Sequence, residues 1–212
     1  SAPMNQTAKA TQDRIRKYRS LVNKTVRWAE MNRNKLLAEP DLQAHYKAPY
    51  FWYATGNMAM AGFYRMLMEK RFLRKDGDFR TAEDFKGFRN FPCTTLNQYI
   101  YPNGWIVMGL QKAGAYDLAR HGLDFILRFQ DPKHGGFYYS FDAKRKKIDK
   151  RLMDSSSTAS AGSACLACGR IKEAIAAGEF ILRLLALQPE PDKYFFSCMK
   201  HDGQLHTDVF GS

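Results

Sequence analysis

Apolar residues recur three or four positions apart in three long stretches of the chain. Such spacing predicts amphipathic helices that bury one face, here over residues 11–37, 115–130 and 170–187. Three other stretches are rich in small residues, which let helices approach each other closely; they are 51–64, 101–113 and 155–168. Because the two classes alternate, we expect an inner set of closely packed helices covered by an outer set.

The same order of predicted secondary-structure elements occurs twice along the chain. Residues 99–141 predict a helix, a glycine turn, a second helix and an aromatic strand, and residues 154–197 predict a looser copy. At an offset of about 55 residues, in the range of repeat architectures, Gly114 aligns with Gly169. After each second helix we expect a β-hairpin, the first from 137–141 with 147–152 and the other from 194–199 with 204–209.

Alternating helices with hairpins at one end are typical of an α/α toroid, so the sequence predicts an all-α fold of this kind. We expect a single domain over residues 1–212, in which 51–72 is one continuous helix and the hairpin units span about 8–75, 96–151 and 153–210. A flat α-solenoid is the competitor, but common helical repeats are shorter, about 34 to 47 residues. A complete toroid needs more hairpins than this chain supplies. The chain is therefore expected to be a fragment, or to be completed as a homo-oligomer or by another chain.

Composition adds a strong positive charge. The 212 residues include 33 Lys and Arg against 21 Asp and Glu, a formal net charge of +12. Such a surface attracts nucleic acid, anionic lipid or an anionic small molecule, although dispersed basic residues also suit an ordinary solvated surface. No stretch has the roughly 20 apolar residues of a membrane span. Four scattered cysteines and a start without a signal-peptide pattern predict a cytoplasmic protein.

Residues 119–137 resemble the glutamine–tryptophan repeat of terpenoid cyclases and protein prenyltransferase β subunits. The matching residues are Gln130, Gly135 and Phe137, with Phe in place of Trp, and Gln188 and Tyr194 in a degraded second copy. Asp154-Ser-Ser-Ser-Thr-Ala159 lies where class II terpene cyclases carry an acidic motif whose middle carboxylate delivers the proton. Ser156 replaces that carboxylate, so the resemblance implies the toroid fold more strongly than the cyclase reaction.

The chain also resembles the N-acylglucosamine 2-epimerase family, another family of α/α toroids. Gly135-Gly-Phe-Tyr138 and Asp202-Gly203 fit the Gly-Gly-Phe strand and the Asp-Gly hairpin of that family. The resemblance covers about residues 48 to 210. The catalytic histidines of that family's inner helices have no counterpart in this sequence.

The starts of the predicted inner helices bring together aromatic and polar side chains, where the cavity of a toroid opens. Such residues suit a pocket for an apolar or anionic small molecule, although aromatic rings at helix starts also pack in cores. The proposed substrate-binding residues are Trp52, Tyr53, Asn57, Tyr99, Asn103, Trp105, Ser155, Ser156 and Thr158. The backbone N–H groups of the serine-rich helix start can hold a phosphate or carboxylate.

Three residues are the candidates for catalysis, namely Asp154, Tyr101 and His134. Asp154 can act as a general acid or base, and an Asp before Ser-Ser-Ser-Thr is equally an N-cap. His134 and His201 lie in predicted hairpin loops, where they can serve as acid and base or lie on the surface as ordinary loop residues.

Two further motifs suggest binding sites. Cys165 and Cys168 have the spacing of a metal or redox motif, but a structural zinc site needs four ligands, so we interpret both as core thiols and predict neither metal nor cofactor. Lys144-Arg-Lys-Lys147, followed by Lys150 and Arg151 and flanked by aromatic residues, is the best nucleic-acid candidate. Basic residues in this pattern are also typical of a solvent-exposed hairpin tip without a partner.

These features predict a small-molecule isomerase, cyclase or lyase that uses acid–base chemistry in an aromatic-lined cavity. The alternative is a non-catalytic binding or scaffold module whose basic surface meets a protein or nucleic acid. A small-molecule ligand ranks ahead of nucleic acid as the partner.

Overall fold

The computed structural model describes residues 6–82, 86, 98–142 and 144–207. The chain divides between Pro40 and Asp41 into two compact units. The first unit holds α1 (Gln6–Met31) and α2 (Arg33–Ala38), which together replace the predicted helix over 11–37. The helices are separated at Asn32, whose Nδ2 donates to the Trp28 carbonyl oxygen at 2.9 Å. The expectation of a single domain over 1–212 stays a prediction.

The second unit contains three pairs of consecutive helices. They are α3 (Ala48–Ala54) and α4 (Met58–Leu67), α5 (Tyr101–Lys112) and α6 (Tyr116–Leu127), and α7 (Ser155–Ala167) and α8 (Ile171–Ala186). α5 packs against both α3 and α7, and each of α4, α6 and α8 packs against the helix before it. This arrangement agrees with the predicted alternation of small-residue and amphipathic helices.

The prediction of one helix over 51–72 is wrong. Asn57 Oδ1 accepts a hydrogen bond from the Met60 backbone N–H at 3.0 Å, so a new helix begins there. α4 then passes into a π-helical turn, Met68–Phe72. The inner helix α3 consequently pairs with α4, from the same predicted helix.

Small residues allow the close contacts of α5. A Cβ atom on Gly104 would lie 2.2 Å from Ser160 Oγ of α7, and one on Gly109 would lie 2.6 Å from the Tyr50 nitrogen of α3. A larger residue at either position would push the helices apart. The turns after α5 and α7 use Gly114 and Gly169, with φ of 81° and 77°, a conformation that glycine adopts without strain.

An antiparallel sheet of order β1-β2-β3 joins the helix pairs. It consists of β1 (Tyr138–Asp142), β2 (Lys147–Asp154) and β3 (Cys198–Lys200). β1 and β2 form the predicted hairpin. The second predicted hairpin is reduced to β3, which pairs with β2, and to a bridge between Met199 and Leu205; residues 208 and 209 lie outside the described residues.

The glutamine after each of α6 and α8 binds the loop that follows. Gln130 Nε2 donates to the carbonyl oxygens of Gly135 and Glu173, both at 3.0 Å. Gln188 Nε2 donates to the Phe196 carbonyl oxygen at 3.0 Å, and its Oε1 accepts from the Phe196 N–H at 2.8 Å. The two repeats therefore share one polar contact as well as one order of elements.

The second unit is thus mainly helical with a small antiparallel sheet. Its core includes Phe125 of α6, Phe141 of β1 and Phe129 of the segment between them. In the part of the chain that the structure describes, no helix has both the length and the apolar character needed to cross a bilayer.

Candidate functional site

A cleft of about 400 Å³ lies against the sheet. We call it the sheet-face cleft. Its lining residues come from all three strands and from the turn that follows β3: Tyr139, Asp149, Arg151, Leu152, Lys200, His201, Asp202 and His206. The volume lies within the range of small-molecule sites, about 300 to 1,000 Å³, and most of the lining side chains are polar or charged.

The backbone holds both imidazoles of the cleft close to the sheet. The His206 N–H donates to the Cys198 carbonyl oxygen at 3.0 Å, and the His201 N–H donates to the Arg151 carbonyl oxygen at 3.1 Å. The cleft therefore holds two groups of the type that most often performs general acid–base catalysis.

Tyr139 adds a phenol to the cleft. The side chain is half-buried, and burial is the main cause that raises its pKa; the neighbouring Cys198, Asp149 and Asp154 raise it further. The phenol consequently stays protonated to a higher pH than that of an exposed tyrosine. At neutral pH Tyr139 is a hydrogen-bond donor.

Asp149 and Arg151 form a bidentate ion pair on β2. Arg151 Nε lies 2.9 and 3.0 Å from the two carboxylate oxygens of Asp149. These hydrogen bonds lower the pKa of Asp149, so its carboxylate is ionised at neutral pH. With Lys200 and Asp202, the cleft lining holds two basic and two acidic side chains besides its histidines.

Asp154 lies at the end of β2 and the start of α7. Only 2% of the residue is exposed, and its Oδ2 accepts from the backbone N–H groups of Ser156 and Ser157, both at 3.1 Å. Burial raises the pKa of this carboxyl group. Asp154 is therefore the N-cap of α7, one of the two roles that its sequence context suggests.

The other polar groups at the start of α7 also have partners within the protein. The Ser155 N–H donates to the Ser197 carbonyl oxygen at 2.8 Å, and Thr158 Oγ1 accepts from the Phe137 N–H at 2.9 Å. Together with the bonds to Asp154, these contacts use the N–H groups of Ser155, Ser156 and Ser157. An anion at this helix start would have to compete with them.

A buried ionic cluster lies beside the start of α5. We use this name for Asp76, Asp78, Arg80, Lys86, Tyr99 and Asn103. Lys86 Nζ lies 2.5 Å from both Asp78 Oδ1 and Asn103 Oδ1. Tyr99 donates its hydroxyl to Asp78 Oδ2 at 2.6 Å, and Asn103 Nδ2 donates to Asp78 Oδ1 at 2.8 Å.

Burial shapes the electrostatics of this cluster. Asp78 and Asn103 are fully buried, and Lys86 is 8% exposed. Burial lowers the pKa of Lys86 to about 8 despite the attraction of Asp78, and burial raises the pKa of Tyr99. Lys86 therefore has a titration range close to neutral pH, which is unusual for a lysine.

Sequence reasoning placed Tyr99 and Asn103 at the inner-helix start but missed Asp78, Arg80 and Lys86. They fall in the polar stretch 78–90, for which no site residue is predicted from the sequence. The only local signal is the alternation of charge at 76, 78 and 80 around Phe79, which does not identify the partners.

The predicted aromatic side chains are divided between two places. Tyr101 and Trp105 meet residues that precede or begin α3, with ring centroids 6.0 Å apart for Tyr46 and Tyr101 and 5.7 Å apart for Tyr50 and Trp105. Lys47 Nζ lies 5.1 Å from the Trp105 ring centroid. In contrast, Trp52, Tyr53 and Asn57 lie at the junction of α3 and α4, where Trp52 is buried and Asn57 is a cap.

His134 lines a different cavity, of about 510 Å³, with residues that include Arg170, Glu173 and Arg183 of the α8 region. Its Nδ1 lies 3.2 Å from Arg183 Nη1. Because a guanidinium only donates, Nδ1 is the acceptor and the imidazole is neutral in this contact. The cavity lining of His134 does not overlap that of the sheet-face cleft.

The basic hairpin lies beside a groove of about 1150 Å³. The basic residues that line the groove are Arg128, Arg145, Lys146, Lys147, Lys150 and Arg151. The expectation that flanking aromatic rings stack on bases is wrong for Tyr138 and Phe141, because they are 4% and 7% exposed and belong to the core. The groove thus offers charge with little aromatic surface.

The described cysteines are free thiols. Cys165 is buried, and burial raises its pKa to about 12, as expected for a core thiol; Cys168 and Cys198 are half-buried. Cys93 lies outside the described residues. Within the described ranges, no three His, Cys, Asp or Glu residues come together as a metal-binding group.

No protein-family model matches the sequence, and no curated protein matches it either. The crystal structure of a D-mannose isomerase is similar to this chain, with a TM-score of 0.57 and 12% sequence identity. The match covers 78% of this chain and 46% of the isomerase chain, so this chain spans a little less than half of that structure's length. At this identity the similarity concerns the fold.

Proposed function

We propose that this chain belongs to an isomerase that acts on a small polar molecule, with monosaccharides as the first class of substrate to test. The supporting observation is that an acid–base cleft lies on a fold similar to that of a D-mannose isomerase. This favours the epimerase-type toroid over the terpenoid-cyclase type among the two resemblances. The hydrophilic lining of the sheet-face cleft also suits a sugar better than a polyene.

The proposed reaction moves a hydrogen between two adjacent carbons of the sugar. A base removes the proton from the carbon beside the carbonyl group, and an acid protonates the carbonyl oxygen, which gives an enediol. The base then returns its proton to the neighbouring carbon while the second hydroxyl group of the enediol gives its proton to the deprotonated acid, which forms the new carbonyl group and regenerates both catalysts. We assign the base to His206 and the acid to Tyr139, because both line the cleft and Tyr139 is a protonated phenol at neutral pH.

The negative charge that develops on the enediol oxygen needs a fixed positive partner. Lys200 and Arg151 line the same cleft and are the candidates for this role. Asp154 lies close enough to raise the pKa of Tyr139, so we propose that it positions α7 and keeps the phenol protonated. Tyr101 and His134 remain separate proposals for catalysis, tested after the residues of the cleft.

The test uses the full chain with D-mannose and other monosaccharides in D₂O, followed by NMR. Ketose formation, or deuterium incorporation beside the carbonyl group, is the expected result. His206→Gln and Tyr139→Phe should each reduce the rate at least about 100-fold, the usual contribution of a general acid or base. His121→Gln is the matched control, because His121 is exposed on α6 and does not line the cleft.

Two results would contradict this assignment. One is a rate for His206→Gln and Tyr139→Phe equal to that of the His121 control. The other is the absence of exchange for every sugar tested. Asp154→Asn separates its two roles: loss of turnover at unchanged thermal stability supports catalysis, and loss of stability alone supports the cap.

We also propose that the helix pairs form part of an α/α toroid that a second copy or another chain completes. Three consecutive helix pairs support this, together with large apolar side chains of α8 that remain exposed, such as Ile175 at 56% and Leu182 at 67%. Light scattering should show an oligomer. A monodisperse monomer at high concentration would contradict completion by a second copy.

The basic groove supports a second candidate function, the binding of nucleic acid without catalysis. Lys146, Lys147 and Lys150 line the groove beside Arg128. Binding should then weaken steeply with salt, and Lys147→Gln with Lys150→Gln should weaken it further. A binding affinity that does not change with salt concentration would exclude this function.

A further inference from the structure

The first unit of the chain carries a surface that the proposed reaction does not use. α1 is 26 residues long and contains seven basic and two acidic residues. At about 100° per residue, its large apolar residues before Met31 occupy one arc of about 160°. Among the basic residues, only Arg14 falls within that arc, so the helix has one apolar and one basic face.

The apolar face of α1 is exposed. Five of its six large side chains are exposed, namely Ile15 at 45%, Tyr18 at 61%, Leu21 at 49%, Val22 at 45% and Trp28 at 57% exposure. A contiguous exposed apolar surface commonly marks an interaction site. Tyr18 and Trp28 have apolar rings with a polar edge, and such residues are enriched where hydrocarbon meets water.

The charge and the apolar surface of α1 together restrict the class of partner that it can bind. Nucleic acid would neutralise the cations of α1 but would leave its apolar face in water. A second α1 helix would cover the apolar face but would bring two helices of net charge +5 together. An anionic lipid surface meets both needs, because acyl chains accept the apolar face and headgroups attract the lysine and arginine side chains.

We propose that α1 binds the surface of anionic phospholipid bilayers, lying in the plane of the interface. Ile15, Tyr18 and Trp28 enter the boundary between headgroups and acyl chains, and Lys17 and Lys24, which flank the apolar arc, remain among the phosphate and carboxylate groups. This binding does not depend on the proposed isomerase activity.

The experiment measures co-sedimentation of the full chain with vesicles of phosphatidylcholine, with or without about 30% phosphatidylserine. We expect binding only to the anionic vesicles and a loss of binding as salt increases. Lys17→Gln with Lys24→Gln should lower the partition coefficient roughly 30-fold, since each basic residue contributes about a factor of five. Leu21→Ser with Trp28→Ser should lower it at least about tenfold.

The control is Lys144→Gln with Lys147→Gln, which removes the same charge from exposed positions of the β1–β2 hairpin. A control that loses as much binding as the Lys17 and Lys24 variant would show attraction by net charge and overturn the role of α1. Equal binding of the Leu21 and Trp28 variant, or no binding to anionic vesicles, would also overturn it. Binding to an acidic protein in the absence of any vesicle binding would assign the face to a protein partner and overturn the proposal.

Discussion

The starts of α5 and α7 occupy corresponding places in the repeat, yet polar groups stabilise them in different ways. α7 begins with a local contact, since Asp154 binds the N–H groups two and three residues later. α5 has no side-chain cap at Ile100. Instead its Asn103 binds Asp78 and Lys86, which lie 25 and 17 residues earlier in the chain.

The difference shows how far a helix start depends on the rest of the molecule. A local cap forms with its helix and contributes about 1 kcal/mol. A buried ionic cluster forms only when distant segments meet, and each of its charges is costly without its partners. We therefore expect the α5 start to be sensitive to single substitutions and the α7 start to tolerate them.

The largest expected effect comes from removing the central charge of the ionic cluster. Asp78→Ala leaves Lys86 buried without its carboxylate, and breaking such a pair costs about 3 to 5 kcal/mol of unfolding free energy. Urea denaturation measures this cost. The double variant Asp78→Leu with Lys86→Met should recover part of it, because neither charge then remains alone. A cost below about 1 kcal/mol for Asp78→Ala would mean that the cluster is not formed.

The two helix starts should differ in the sign of their pH dependence. Lys86 has a folded pKa of about 8 and an ordinary value of 10.5, so between these values the unfolded chain binds more protons and stability rises with pH. This rise, on the order of 3 kcal/mol, should vanish in Lys86→Met. Asp154 has a raised pKa, so its contribution is fully present below its ordinary value of 3.8 and is lost as pH rises through the folded value.

Unfolding free energies of the wild type, Lys86→Met and Asp154→Asn over a pH series check these opposite slopes. The wild type should gain stability over Lys86→Met from pH 8 upwards, and should lose stability relative to Asp154→Asn just above pH 3.8. Slopes of the same sign would contradict the comparison.

Removal of the α7 cap should have a smaller effect. Asp154→Ala should cost about 0.5 to 2 kcal/mol of unfolding free energy, and Asp154→Asn should cost less because the amide oxygen still accepts a hydrogen bond. Denaturant titration of both variants measures this. A loss equal to that of Asp78→Ala would show that the two helix starts are equally dependent on the tertiary structure.

The smallest effect is expected for the glutamines of the two repeats. Gln130→Ala and Gln188→Ala each remove side-chain bonds to backbone groups, at a cost of about 1 kcal/mol. Gln130 links its loop to Glu173 of α8, whereas Gln188 bonds to residues near it in the chain, Leu184 and Phe196. Only Gln130→Ala should therefore increase hydrogen exchange near Glu173; an equal increase in both variants would remove this distinction.

Much of the fold could be predicted because it depends on short-range patterns. The glycine turns at Gly114 and Gly169, the hairpin of β1 and β2 and the four helices α5 to α8 follow from spacing and turn residues. The break between α3 and α4 was missed, because apolar spacing continues through Asn57 while its side chain starts a new helix. The predicted toroid ring itself stays a proposal.

The candidate sites were less accessible to prediction. The role of Asp154 as a cap was one of two alternatives that its neighbours suggest. His134 and His201 were expected at one end of the molecule, and His134 does lie against Gly203 in the turn that follows His201. The two histidines nevertheless line different cavities. Spacing along the chain does not determine which loops share a cavity, because this depends on how the sheet and helices pack.

The sequence by itself determined helices α5 to α8, the first hairpin and the basic amphipathic character of α1, since these properties depend on residues within a few positions of one another. Only the tertiary structure decided that Asn103 meets Lys86, that Tyr139 and His206 line one cleft, and that Tyr138 and Phe141 are buried. The physical reason is that burial and charge pairing depend on groups that are close in space but distant in the chain. Those are also the quantities that set the pKa values of Lys86 and Asp154.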